Sequence, residues 1–148
     1  TLEHGPIAGF PVIGVKAVLY DGSYHPVDSN EISFKIAAAL AFKEACKTIK
    51  PTILEPIMEV VITVKDEYVG DIMGDIPQRR GSVIGMEPVG NGKTAITAQI
   101  PEAEIINYSI DLKAMTQGSG KFTRKFIRYD DVPNQLVDKI VAEYKKTN

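Results

Sequence analysis

Four groups of side chains in this sequence have types and spacings on which chemistry could rest. Gly92-Lys93-Thr94 ends like a phosphate-binding loop. That loop needs a glycine five residues before Gly92, where this chain has Glu87, and a helix after Thr94, where residues 94–100 alternate as a strand. An acid at that point repels phosphate, so the run reads as a hairpin. His4, His25 and Cys46 lack the short paired spacing of metal ligands. Cys46 sits among alanines on a helical pattern and reads as a buried structural thiol. Asp71 and Asp75 lie one helical turn apart, as paired catalytic carboxylates can, but their helix is apolar on the other side, so they read as a solvated acidic face. The fourth group is the run Asp21-Gly22-Ser23-Tyr24-His25-Pro26-Val27-Asp28. It places an aromatic ring, an imidazole and an acid on a loop. Tyr24 can stack, and His25 can hydrogen-bond through either ring nitrogen.

That loop needs a rigid base. Residues 12–20 are rich in β-branched types and are bounded by Pro11 and Asp21-Gly22, which predicts a strand before the loop. Asp28 with Glu31 three residues on is a capping-box pattern. Residues 31–48 place Ile32, Ile36 and Leu40 on one stripe, with Phe34, Ala38, Phe42 and Ala45 beside it. So wide an apolar face predicts a well-buried helix. Pro51 cannot continue it, and residues 51–56 mark a boundary.

The rest has a clear order. Residues 58–64 predict a strand. Residues 67–78 predict a helix, with Val69, Ile72, Met73 and Ile76 at helical spacing. Gly70 and Gly74, one turn apart on it, are expected to let it lie close to a sheet. Residues 82–89 and 93–100 predict two strands joined by Gly90-Asn91-Gly92. Ile105, Tyr108, Leu112 and Met115 space out a second helix, and residues 121–129 predict a fourth strand. The order βαββαβ is the ferredoxin-like plan. Val137, Ile140, Val141 and Tyr144 form one face of a closing helix, with Pro133 at its first turn. The expected fold is α+β: two-layer α/β sandwiches, a partial βα unit over 1–54 and a ferredoxin-like domain over 55–148. The sheet face away from the helices is expected to be open to a partner.

Composition narrows the function. The chain has 148 residues, 44% apolar and 24% charged, with a net charge of −2. That excludes a protein held to nucleic acid by bulk charge. The charge is uneven, however. Residues 1–54 are neutral, 55–120 carry −5 and 121–148 carry +3. The longest apolar stretch, residues 36–42, is too short to cross a bilayer. One cysteine and no signal-peptide pattern suit a reducing compartment. Thr1 in place of a methionine leads us to expect a piece of a longer chain.

Longer motifs then identify a family. Gly9-Phe10-Pro11-Val12, Leu19-Tyr20-Asp21-Gly22-Ser23-Tyr24-His25 and Val27-Asp28-Ser29 resemble the fourth domain of bacterial elongation factor G. So do Ala41-Phe42-Lys43-Glu44-Ala45 and Leu54-Glu55-Pro56-Ile57-Met58. Gly70-Asp71-Ile72-Met73-Gly74-Asp75, Arg79-Arg80-Gly81, Asp111-Leu112 and Thr116-Gln117-Gly118 resemble its fifth domain.

The resemblance implies the C-terminal part of a five-domain GTPase that moves tRNA and mRNA through the ribosome. Residues 1–54 correspond to the end of domain four, and 55–148 to domain five. The piece itself then has no catalytic residue, cofactor or metal. GTP and magnesium belong to the parent's G domain, and the expected compartment is the cytoplasm. In the family the domain-four tip touches the tRNA–mRNA duplex at the decoding site. That assigns Ser23, Tyr24, His25, Val27, Asp28 and Ser29 to the tip loop. Arg79, Arg80, Arg124, Lys125 and Arg128 are the candidates for ribosomal RNA contact. The expected partners are the ribosome, the missing N-terminal domains and, in a crystal, a second copy through the uncovered domain-four surface; no membrane is expected.

The chain departs from the family in several places. Gln78 stands where the family usually has an arginine before Arg79-Arg80-Gly81, and Ser119 where it has the middle arginine of Gly-Arg-Gly. Lys113-Ala114 replaces Arg-Ser, residues 101–104 depart from Pro-Leu-Ser-Glu, and Lys65 replaces a proline. The alternative is therefore a paralogue acting in ribosome rescue, recycling or protection. A free-standing RNA-binding ferredoxin-like protein is less well supported, since residues 94–100 carry no stacking aromatic.

Overall fold

A computed structural model describes residues 1–147. Its elements are α1 (Glu31–Ile49), β1 (Leu54–Lys65), a 3-10 turn (Asp66–Tyr68), α2 (Val69–Gln78), β2 (Ser82–Gly90), β3 (Lys93–Pro101), a second 3-10 turn (Glu102–Ile105), α3 (Tyr108–Met115), β4 (Lys121–Asp131) and α4 (Asn134–Thr147). The chain divides into two compact units. One is residues 1–53 with 133–148, and the other is residues 54–132. The sequence-based division keeps all of 55–148 together; the closing helix groups instead with the N-terminal segment.

The second unit is an antiparallel sheet of order β2-β3-β1-β4. With α2 after β1 and α3 after β3, this is the ferredoxin-like order, and the α+β class holds. Alternation along β1 decides the faces. Met58, Val60, Ile62 and Val64 turn inward, where they meet Ile96, Ala98 and Ile100 of β3. Ile72 and Ile76 of α2 and Ile105, Tyr108 and Leu112 close over them. Glu59, Val61 and Thr63 point to the other face and are half-exposed. Gly90, Asn91 and Gly92 all take positive φ, which the tight β2–β3 hairpin requires. The Thr94 hydroxyl donates to Asp66 at 2.7 Å, so this run is a hairpin corner.

The glycines behave differently from expectation. A side chain added at Gly70 or Gly74 would meet nothing within 4 Å, so neither brings α2 to the sheet. The close approach is at Gly81, where a β-carbon would lie 2.8 Å from Ile100 and 2.9 Å from Ile76. The chain leaves α2 there and enters β2 directly over the core.

Unit one corrects two expectations. Residues 12–20 form no strand, and Val15, Val18, Leu19 and Tyr20 are exposed. β-branched composition favours extended backbone, but a ladder needs a neighbouring strand. Among the described residues, the one backbone bond from this run to another segment is Val12 N–H to the Leu2 carbonyl at 2.7 Å. Helix α1 forms where expected, yet none of its residues is buried. Its stripe of Ile32, Phe34, Ile36 and Leu40 is largely exposed. A wide apolar face shows that a helix can be covered; it does not supply the cover. The face of α4 fares better, with Val137, Ile140, Val141 and Tyr144 half-buried. Gly9, at φ 72°, lies so close to the Tyr144 ring that a β-carbon would come within 2.6 Å.

Ile72 is fully buried between α2 and the sheet. Its replacement by alanine removes three carbons from a closed core, and denaturant unfolding should show a loss of about 2–5 kcal/mol. A near-zero change would overturn this placement of α2.

Candidate functional site

The loop before α1 is folded on itself. The Ser29 hydroxyl accepts from the His25 backbone N–H at 2.7 Å, and Ser29 N–H donates to the His25 carbonyl at 2.9 Å. The His25 ring turns back over this closure. Its Nδ1 lies 3.2 Å from an Asp28 carboxylate oxygen, an ion pair when the imidazole is protonated. The Val27 N–H points at the same nitrogen from 3.4 Å. Tyr24 and Val27 project outward, both well exposed. The loop therefore presents a ring, an imidazole and an aliphatic group over an internally bonded turn.

Asp28 does not cap the helix as expected. Asn30 does, accepting from Ser33 N–H at 2.9 Å while its own N–H donates to the Ser33 hydroxyl at 2.9 Å. This reciprocal box satisfies two orphan donors, and the cap lies two residues beyond Asp28 while the helix still starts at Glu31. The signal was in the sequence as Asn30 followed by Ser33. It leaves Asp28 free to face His25, so the loop stands on a capped helix end.

Arg79 and Arg80 are turned inward, not outward. Arg79 donates to Asp75 at 2.7 Å, to Asp111 at 2.9 Å and to the Glu104 carbonyl at 3.0 Å. Its guanidinium also lies 4.7 Å from the centre of the Tyr108 ring. Arg80 holds Glu55 through two parallel bonds of 2.6 and 2.8 Å and Glu104 through a third of 2.9 Å. Burial works against the Arg79 charge, but the bonds from Asp75 and Asp111 outweigh it and raise its pKa. The Glu55 bonds raise that of Arg80 against burial, with Glu104 adding. Both cations are thus locked on. Arg80 also takes a left-handed backbone, φ 56°, unusual for a residue with a side chain. Sequence reasoning took these arginines for surface bases and Asp75 for part of a solvated face. Asp75 is only one turn from Arg79, but Glu55, Glu104 and Asp111 lie 24 to 32 residues away.

The other candidate bases are on β4. Arg124 stands 3.8 Å from Glu102, and Arg128 binds Asp130 at 2.9 Å and Gln99 at 3.0 Å. Lys125 lies opposite Glu59 and is exposed. Arg124 shares a face with the core residues, while Lys125 and Arg128 lie on the other. The sequence-predicted site residues thus fall into separate places: one loop in unit one, and an internal clamp and an edge strand in unit two. Among the described residues no cluster of His, Cys, Asp and Glu is arranged to hold a metal ion. No described helix is long and apolar enough to cross a membrane.

Two measurements test this electrostatic layer. Arg80→Ala should cost about 2–4 kcal/mol, since it strands two partly buried carboxylates. In a double-mutant cycle with Glu55→Ala the losses should be strongly non-additive; additive losses would remove the clamp. Tyr108 is fully buried and its hydroxyl has no partner in the described chain. Burial first, then Asp75 and Asp111, push its pKa up, with Arg79 opposing. A phenol held neutral in the fold stabilises fully below the unfolded pKa of about 10 and loses that contribution as pH rises further. Tyr108→Phe should unfold like the parent at neutral pH and resist alkali better, and equal alkaline sensitivity would contradict the burial.

Comparisons with known proteins place this geometry. The description "Elongation factor G, domain IV" matches residues 1–50, and "Elongation factor G C-terminus" matches residues 52–140. A crystal structure of a protein from Thermus thermophilus is similar at 41% identity, with a TM-score of 0.85 over 98% of this chain. The match spans 22% of that longer chain. The loop over residues 23–29 and the capped helix lie within the first match, and the clamped sheet within the second. The chain therefore belongs to the elongation factor G family and carries its domain IV and C-terminal regions.

Proposed function

We propose that this chain is the ribosome-contacting end of a translational GTPase that promotes tRNA–mRNA translocation. The observation that carries the reading is the loop over residues 23–29. It is exposed and braced by its own hydrogen bonds on a capped helix, within the stretch that matches domain IV. The segment performs no chemistry. Its action is steric: Tyr24 and His25 enter the decoding region and hold the codon–anticodon duplex during movement. GTP and magnesium act in the parent's G domain, in the cytoplasm. The clamped sheet sets the orientation of the factor on ribosomal RNA. Arg124, Lys125 and Arg128 are the bases offered to RNA, while Arg79 and Arg80 hold the scaffold. The match to 22% of a longer relative supports a parent with further domains.

A second reading has its own support. Gln78, Lys113 and Ser119 stand where arginines are usual in the family. A paralogue that binds ribosomes in rescue, recycling or protection fits those losses. Multi-round translocation by the parent protein separates the two, because sustained movement disposes of the paralogue.

The tip-loop role has a direct test. His25→Ala in the parent should slow translocation by about tenfold, equivalent to about 1.4 kcal/mol. Ribosome-stimulated GTP hydrolysis should stay close to the parental rate. Unchanged translocation would remove His25 from the mechanism.

A further inference from the structure

The residues of the loop over 23–29 do not all face a partner. Ser29 is the one among them that is half-buried; the others are exposed. It meets His25 twice. The His25 N–H donates to the Ser29 hydroxyl at 2.7 Å, and the Ser29 N–H donates to the His25 carbonyl at 2.9 Å. Both main-chain polar groups of His25 therefore end on one residue. Ser29 directly precedes Asn30, whose reciprocal box with Ser33 fixes the first turn of α1. A continuous chain of contacts runs from the helix cap through Ser29 to His25.

The imidazole is held separately. Its Nδ1 lies 3.2 Å from the Asp28 carboxylate and 3.4 Å from the Val27 N–H. Both contacts engage the same nitrogen, so Nε2 is the one presented away from the loop. Asp28 is ill suited to touching nucleic acid itself, because a carboxylate only accepts hydrogen bonds and repels phosphate. An exposed pair of this kind adds little to stability. Its effect is on direction: it favours one ring orientation among the several that a histidine side chain can take.

Freedom lost on binding weakens a complex, and a loop already fixed loses less. Hydrogen bonds within the loop supply that fixing without adding a contact. The six residues assigned to the tip therefore divide. Tyr24, Val27 and the Nε2 edge of His25 face outward, while Ser29 and Asp28 spend their polar groups on His25.

We propose that Ser29 and Asp28 are positioning residues for His25, Ser29 through its backbone and Asp28 through its ring, and that neither meets the codon–anticodon duplex itself. The assignment deepens the decoding-site reading of this loop and rests on it for the act that His25 performs.

The test has two levels. On this chain, hydrogen exchange of the His25 amide is followed by NMR. Ser29→Ala should speed exchange by about 2- to 10-fold, the loss of one hydrogen bond. Ser29→Thr, which keeps the hydroxyl, should restore slow exchange. A parental rate in Ser29→Ala, or fast exchange in Ser29→Thr, overturns the brace. In the parent protein, a double-mutant cycle reads translocation. Ser29→Ala should slow it by about 2- to 10-fold while His25 is present. In a His25→Ala background the same change should alter the rate by less than about twofold. Asp28→Ala should follow the same pattern. A substitution whose slowing persists beside His25→Ala acts on something other than His25, and its positioning role is overturned; one that slows nothing in the parent overturns it equally. The two readings fail separately. If His25→Ala leaves translocation unchanged, the decoding-site reading falls, while amide exchange still decides whether Ser29 holds His25.

Discussion

The sheet and its helices depend on two adjacent guanidinium groups. Arg79 and Arg80 leave the end of α2 in different directions and bind carboxylates from four elements: Glu55 on β1, Asp75 on α2, Glu104 on the second 3-10 turn and Asp111 on α3. Hydrophobic contact between layers is non-directional and lets them slide. Planar forks with fixed donor directions do not. The clamp therefore fixes which turn of α2 faces which end of β1, and the core then closes around that choice. Arg80 adopts a left-handed backbone within this arrangement, a conformation that costs about 1–2 kcal/mol for a residue with a side chain. Its three charge-assisted hydrogen bonds offset that cost.

The clamp also changes the meaning of the charge distribution. Residues 55–120 carry twice as many acids as bases. Read as a surface, that is an acidic body unsuited to nucleic acid. Four of those acids are engaged with the two arginines, so the clamp and the rest of the segment each stay net negative. What the fold changes is where that charge sits: four of the ten acids are held at the clamp, and the other six are elsewhere in the segment.

Much of unit two was legible because its signals are local and agree with one another. Ile72 and Ile76 mark a helix face, residues 90–92 mark a hairpin, and alternation marks β1 and β3. Unit one was legible only in part. The pattern of α1 gave its span to within a residue but not its environment, because amphipathicity records a capacity for burial. Residues 12–20 have strand-forming types without a strand beside them. In the loop, the exposed Tyr24 and His25 were readable, while the cap at Asn30 was hidden behind the louder Asp28 and Glu31. The clamp was not legible at all. Nothing near Arg79 and Arg80 in the sequence names Glu55 or Asp111, and only the assembled sheet brings them together.

In the β1–β4 ladder Phe126 pairs with Met58 and Arg128 with Ile57, so Ile127 is a one-residue bulge, and it has a consequence for how β4 can change. A strand is read in steps of two, and Ile127 changes the phase of that reading. Residues before it are set by Phe122 against the core, and those after it by Arg128 against Gln99. The two halves are thus separate frames joined at one residue. A polar or apolar substitution has opposite consequences at equivalent parities on either side of the joint. Loss of Ile127 would merge the two frames into one regular strand, with Arg128 still opposite Ile57 and Tyr129 still opposite Pro56. Sequence variation along β4 is then constrained by frame rather than by residue type, much as a message is constrained by its reading phase.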